Sequence, residues 1–271
     1  MRTPSAPIYA PDFPPDIDWL NAPFVRLGTL LGRHVPLVWF WDYTSLNSIR
    51  ALPYLQEWNR RYAGAGLSVI GVHSPQFGFG KGPHNVRAAL ERLEVDFPVA
   101  LDSDFEVWKL YGNEVWPSLY LWDRRGVLRH YQHAEGGYLE TEEAIQELLL
   151  EIDEELVMPE PMRPLRATDW PGALVQPPTP HTYIDEDRSG RAVETGDRLA
   201  VTYSGASAAA VLDGTGNVDV SIDGETVAML RLHGPDLYEL YESKRPERHE
   251  LALEFLSPAT AYMFSFAPGP A

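Results

Sequence analysis

Two serines, Ser45 and Ser48, stand at S-x-x-S spacing in the stretch WFWDYTSLNSIRALPYL, where an apolar run gives way to a helical pattern. A serine at a strand-to-helix turn has two chemical uses. It can cap the helix, its Oγ accepting a hydrogen bond from a free amide of the first turn. It can also serve as a nucleophile, given a histidine base and an acid that orients it. His73, at the end of the next apolar run, is the candidate base, but no G-x-S-x-G elbow is present. A serine hydroxyl titrates far above physiological pH and a helix dipole shifts it only modestly. Capping is therefore the expected role of Ser45.

Other side chains could hold ligands. Trp39, Trp41 and Tyr43 lead into the turn, and aromatics beside an open turn can hold peptides or apolar ligands. Trp39 and Trp41 alternate onto one sheet face. Core packing accounts for Trp39, whereas core and groove both stay open for Trp41. His130 and His133 lie on opposite faces if their segment is a strand, a poor chelate. Asp102 and Asp104 are better explained as caps of the helix that follows. No metal site and no cofactor are expected.

The elements that carry these residues are legible. Pro36 to Trp41 is short and apolar enough for a strand buried on both faces. Leu46, Ile49, Leu52, Leu55, Trp58 and Tyr62 recur at helical spacing, with Pro53 inside as a kink and AGAG as the stop. LSVIGVHS reads as a strand, PHNVRAALERLEV as a helix and DFPVALD as the start of a strand. SDFEVWKLYG reads as a helix closed by Gly112. WPSLYLWDRRGVLRHYQH reads as two strands turning at Arg125-Gly126. LETEEAIQELLLEIDEEL reads as a helix opened by a capping-box-like T-E-E-A. Strands alternating with helices, then a hairpin and a last helix, predict an α/β fold with a mixed sheet.

Residues 1–20 read as an extended N-terminal arm and 21–155 as the α/β domain. Residues 156–181 hold seven prolines and read as a linker. Residues 182–271 show short alternating segments, with Asp223-Gly224 as a hairpin signal. They predict a smaller all-β sandwich or jelly roll.

Bulk properties bound the function. The chain has 271 residues, 44% of them hydrophobic, and a net charge of -17. The charge is uneven, -5 over residues 1–150 and -12 over the rest. Such acidity argues against nucleic acid and anionic membrane as partners. No run approaches the roughly 18 apolar residues of a membrane helix, and the proline-rich N-terminus lacks a secretory h-region. Cysteine is absent, which removes disulfides, thiolate metal sites and thiol nucleophiles. A cytoplasmic location fits that composition.

Four blocks in order resemble the thioredoxin-like superfamily: VPLVWFWDYTSLNSIRALPYL, LSVIGVHSPQF, FPVALDSDFEVWKLYGNEVWPSLYLWDRRG and AEGGYLETEEAIQELL. HTYI, VSIDGE, DLYELYES and AYMFSF resemble, more loosely, the carbohydrate-binding-module-like β-sandwich that follows the thioredoxin domain in the TlpA/DipZ branch. The resemblance implies a cis bond at Trp116-Pro117. It also implies a groove formed by Trp41, Asp42, Tyr43, Thr44, Ser45, Ser48, Trp116 and Pro117, with His73 and Glu135 near the turn. Glu135 is either a buried acid facing the turn or a surface turn acid.

The sequence departs from the family at its chemistry. Ser45 and Ser48 occupy the two cysteine positions, and Ala134 replaces a common glycine. Thiol–disulfide exchange needs a thiolate and a sulfur partner, so this chain cannot perform it. Three expectations follow. The first is a redox-inactive binding module for a peptide, protein or other ligand, with carbohydrate as an option for the β domain. The second is an oxidoreductase whose two cysteines have both been replaced by serine. The third is a non-redox enzyme built on the Ser45 turn.

Overall fold

The computed structural model describes residues 6–271. It divides into two compact units. Among the described residues, one comprises 6–42, 47–76 and 80–165, and the other Tyr43–Leu46, Phe77–Phe79 and Arg166–Ala271.

The first unit holds β1 (Asp18–Leu20), α1 (Leu27–Leu30), β2 (Val35–Trp41), α2 (Leu46–Tyr62, whose first residue counts with the second unit), β3 (Leu67–His73), α3 (Pro83–Arg92), β4 (Val99–Leu101), α4 (Glu106–Leu110), β5 (Ser118–Trp122), β6 (Leu128–His133) and α5 (Tyr138–Leu150). Its sheet has the order β1-β4-β3-β2-β5-β6. The strands β2, β3 and β4 are parallel, and β1, β5 and β6 pair antiparallel to their neighbours. This is the mixed sheet of a thioredoxin-like fold.

Every residue of β2 is buried, as its unbroken apolar run requires for a central strand covered on both faces. Val38 and Phe40 pack with Ile70, Val72, Tyr120 and Trp122 on one face. Leu52, Leu55, Trp58 and Tyr62 form the buried stripe of α2. Pro53 sits inside that helix but faces solvent. Gly66, with φ of 109°, closes the turn after it, a left-handed geometry suited to glycine.

Several expectations need correction. The N-terminal arm contains a strand, since Asp18–Leu20 pairs with Val99–Leu101. Helix α5 begins at Tyr138, three residues before the T-E-E-A stretch, with Gly137 at its N-cap and no side-chain cap. Thr141 instead donates back to the Gly137 carbonyl at 2.7 Å from within the first turn.

The proline-rich stretch after α5 is anchored to the first unit as far as Leu165. Glu142 is buried and accepts from the Tyr62 hydroxyl at 2.7 Å and the Met162 amide at 2.8 Å. Gln146 donates to the Pro159 carbonyl at 2.9 Å, and the Leu165 amide donates to the Tyr54 hydroxyl at 2.8 Å. Further on, Ala167–Asp169 forms a 3-10 turn.

The second unit carries β7 (Val175–Gln176), β8 (Thr182–Tyr183), β9 (Arg191–Val193), β10 (Arg198–Ile222), β11 (Glu225–His233), β12 (Asp236–Phe255), β13 (Ala259–Ala267) and β14 (Gly269–Pro270). Short strands were expected, yet β10 runs for 25 residues and β12 for 20. The glycines at 205, 214 and 216 mark bends and register shifts within one strand, not ends. Strand β10 curls so far that Val201 near its start and Ile222 at its end both pair with Leu251. Asp223 and Gly224, with φ of 53° and 85°, make the two-residue turn into β11. Val218, Val220, Leu251, Leu253, Phe255 and Phe266 fill the core of this all-β unit. Within the same unit Leu46 packs with Ala209 and Ala267, and Phe77 packs with Val211 and Met263.

Candidate functional site

The S-x-x-S stretch begins where β2 ends. Asp42 to Ser45 make the turn, so that Ser45 immediately precedes α2 and Ser48 lies in its first turn. Ser48 Oγ accepts the Asp42 amide at 3.4 Å, and Asp42 Oδ2 accepts the Gln76 amide at 2.6 Å. These bonds tie the start of the helix to the chain that enters it.

Burial is the dominant property of these residues. Ser48 is fully inaccessible and Ser45 is 7% exposed. Asp42, Tyr43, Thr44 and His73 are each 1% exposed.

His73 ends β3 with its Nε2 3.9 Å from Asp42 Oδ2. Burial pushes its imidazole below the usual histidine range, against the pull of Asp42 in the other direction. His73 is thus neutral at physiological pH. A neutral imidazole is the correct state for a general base, but the burial of Ser45 leaves the substrate's place undefined.

Trp41 is resolved in favour of the core. It is inaccessible to solvent and stacks on Trp39 at 4.9 Å with an interplanar angle of 12°. Its edge meets His73 at 5.8 Å between centroids. Neither indole face is open to a ligand.

The Trp116–Pro117 peptide bond is cis. Trp116 is half-buried, and its Nε1 donates to the Ser74 carbonyl at 2.8 Å. Pro117 is buried, and its carbonyl accepts the Ala134 amide at 2.9 Å. Ala134 holds φ of 63°, the left-handed region that a glycine occupies at lower cost.

Glu135 lies between β6 and α5 and is largely shielded from solvent. It pairs with Arg50 of α2 at 2.8 Å, both side chains being 12–13% exposed. Glu135 also lines a small hollow of about 20 Å³, together with Trp39, Trp58, Pro117 and Tyr138. Room for one water is all that such a volume offers. Trp58 Nε1, buried on that lining, has no hydrogen-bond partner among the described residues.

Three of the four residues weighed for metal binding, His130, His133 and Asp102, serve other ends. His130 Nε2 bonds Thr141 Oγ1 at 3.0 Å, and His133 Nε2 bonds the Tyr120 hydroxyl at 3.1 Å. Asp102 is buried and holds the start of α4, accepting the Val107 and Trp108 amides at 2.9 Å each and the Ser74 hydroxyl at 2.9 Å. Burial raises its carboxyl above the usual range, although those bonds oppose it. Among the described residues no cluster of three or more metal-binding side chains occurs. Arg50 and Ser74 were missed from sequence. Arg50 is a cation beside the buried stripe of α2, which is the one signal that marked it.

Residues 183–267 match the family described as the thioredoxin like C-terminal domain. The chain is 36% identical over 178 residues to protein DipZ of Mycobacterium bovis and of Mycobacterium tuberculosis. That alignment covers 65% of this chain and 25% of the relative, so the chain spans about a quarter of those proteins. It is also 27% identical over 135 residues to the thiol-disulfide oxidoreductase YkuV of Bacillus subtilis, covering 50% of this chain and 90% of that one. Among solved structures, a thiol-disulfide isomerase from Corynebacterium glutamicum superposes with a TM-score of 0.45 at 24% identity, covering 52% of this chain and 96% of that one. No helix among the described residues is long and apolar enough to cross a membrane.

Proposed function

We propose that the chain, which is similar to protein DipZ and to the thiol-disulfide oxidoreductase YkuV but holds no cysteine, serves as a non-catalytic binding module for a protein or peptide. One observation carries the proposal. The strand-to-helix turn is kept between β2 and α2, while both hydroxyls at the cysteine positions are buried. A scaffold retained around a closed, sulfur-free turn is of use for recognition rather than exchange. The β unit, matched to the thioredoxin like C-terminal domain, would add a second recognition surface, with carbohydrate as one option.

Reduction of insulin disulfides by dithiothreitol tests the first half of the proposal. The chain is expected to leave the rate at background, and acceleration would overturn redox inertness. A panel of activated esters tests the remaining enzymatic option. Turnover abolished by Ser45→Ala would replace the binding reading with a hydrolytic one.

A second reading is an oxidoreductase scaffold with both cysteines exchanged for serine, favoured by the S-x-x-S spacing at the turn between β2 and α2. The double variant Ser45→Cys with Ser48→Cys separates the two. Recovered insulin reduction supports the second reading. A folded but silent variant supports long divergence towards binding, as the burial of the turn leads one to expect.

A further inference from the structure

Strand β1 ends the first unit's sheet. One of its edges bonds to β4, and the other bonds to no strand among the described residues. An open edge offers unpaired amides and carbonyls to any extended chain that can lie beside it.

Two hollows flank that edge and differ in chemistry. The first, of about 530 Å³, is lined by Ile17, Trp19, Phe13, Pro14 and Phe24. The second, of about 190 Å³, is lined by Asp16, Asp18, Asp104 and Glu106. Ile17 borders both. Successive side chains of a strand point to opposite faces, so Asp18 and Trp19 of β1 divide acid from apolar, with Asp16 in the turn just before the strand.

The charges fit one kind of occupant. Among the described residues, the carboxylates of Asp16, Asp18, Asp104 and Glu106 take part in no ion pair and accept no hydrogen bond. Arg26 lines the apolar hollow and lies over the Phe24 ring at 5.5 Å. Asp12 in the same hollow already accepts the Phe13 and Leu27 amides at 3.0 Å each. Arg26 and Lys109, whose Nζ donates to the Asp104 carbonyl at 3.3 Å, are outnumbered along the edge by the carboxylates of Asp16, Asp18, Asp104 and Glu106. A second copy of β1 would bring Asp16 and Asp18 against themselves, and like charges across a strand pair repel.

We propose that β1 is a docking edge for an extended peptide segment of a partner protein, with lysine or arginine at alternate positions and leucine or aromatic residues between them. The basic side chains enter the acidic hollow and the apolar ones cover Trp19 and Phe24. The main chain extends the sheet by one strand. This edge is separate in sequence from the serine turn, so its test is independent of the redox test.

The probe is the blocked peptide Lys-Leu-Lys-Phe-Lys-Leu-Lys, titrated into the full chain by calorimetry at low salt, with amide shifts followed by NMR. Saturable 1:1 binding is expected, with the largest shifts in residues 16–20. A peptide of the same composition with its lysines grouped together should bind at least about tenfold more weakly, as should the variant Asp16→Lys with Asp18→Lys. Both positions are exposed, so the variant should keep its circular dichroism spectrum. Absence of saturable binding overturns the proposal. So does equal binding by the grouped peptide, binding by the folded variant within twofold of the parent, or shifts centred away from β1.

Discussion

The phenol of Tyr62, the last residue of α2, donates to Glu142 of α5 at 2.7 Å. The other oxygen of the same carboxylate accepts the Met162 amide. One buried acid thus joins two helices and the segment that follows them. Desolvation, together with the bond to Glu142, pushes the Tyr62 hydroxyl up to about 12. Replacing Glu142 by leucine strands two donors at once. A loss of about 2–4 kcal/mol is expected, read by urea unfolding. Limited proteolysis should cut between residues 156 and 165 faster in the variant.

The Arg50–Glu135 pair should prove coupled. Both partners are mostly shielded from solvent, so screening is weaker than on an open surface. A double-mutant cycle with Arg50→Met and Glu135→Gln should return a coupling of about 1–2 kcal/mol. A value near zero would place the pair with ordinary surface ion pairs.

Ala134 offers a gain. Its φ of 63° costs an L-residue about 1–2 kcal/mol, part of which glycine gives back through its freer unfolded chain. Ala134→Gly should raise stability by about 0.5–1 kcal/mol, seen as a higher melting temperature. Ala134→Val should lower it.

Asp123 should make the first unit acid-sensitive. Burial alone would raise its carboxyl. The Val127 amide and the side chain and amide of Arg125 outweigh that and hold it below the usual range. A group depressed on folding contributes stability above its unfolded value, and that contribution fades as pH falls through the folded one. Stability should therefore decline below about pH 4. Asp123→Asn should be less stable at neutral pH and show a flatter profile in acid.

Local signals were the legible ones. The unbroken run of β2, the proline inside α2 and the Asp223-Gly224 turn each declare themselves within a few residues. Strand β1 did not, because Asp18–Leu20 is too short to show a period. Strand β10 was obscured by glycines that normally end strands but here let one strand bend. The partners of Arg50 and Glu142 lie far along the chain, and no pattern in a single sequence pairs them. Trp41 was undecided because its position on the strand fits both outcomes. The depth of the serine turn was equally hidden, since Leu46 meets Ala209 and Ala267 only after the chain has folded.

The curl of β10 has a consequence for how the β unit assembles. Its end pairs with β11 across a two-residue turn, a contact that closes early at little entropic cost. Its beginning pairs with the far end of β12, Arg198 against Glu254. That closure waits until most of the unit is in place. High mean sequence separation between contacting residues slows folding. The unit should nucleate at the hairpin of Asp223 and Gly224, zip outward and close last at Arg198. Changes at the hairpin would then slow refolding, while changes around Arg198 would mainly hasten unfolding.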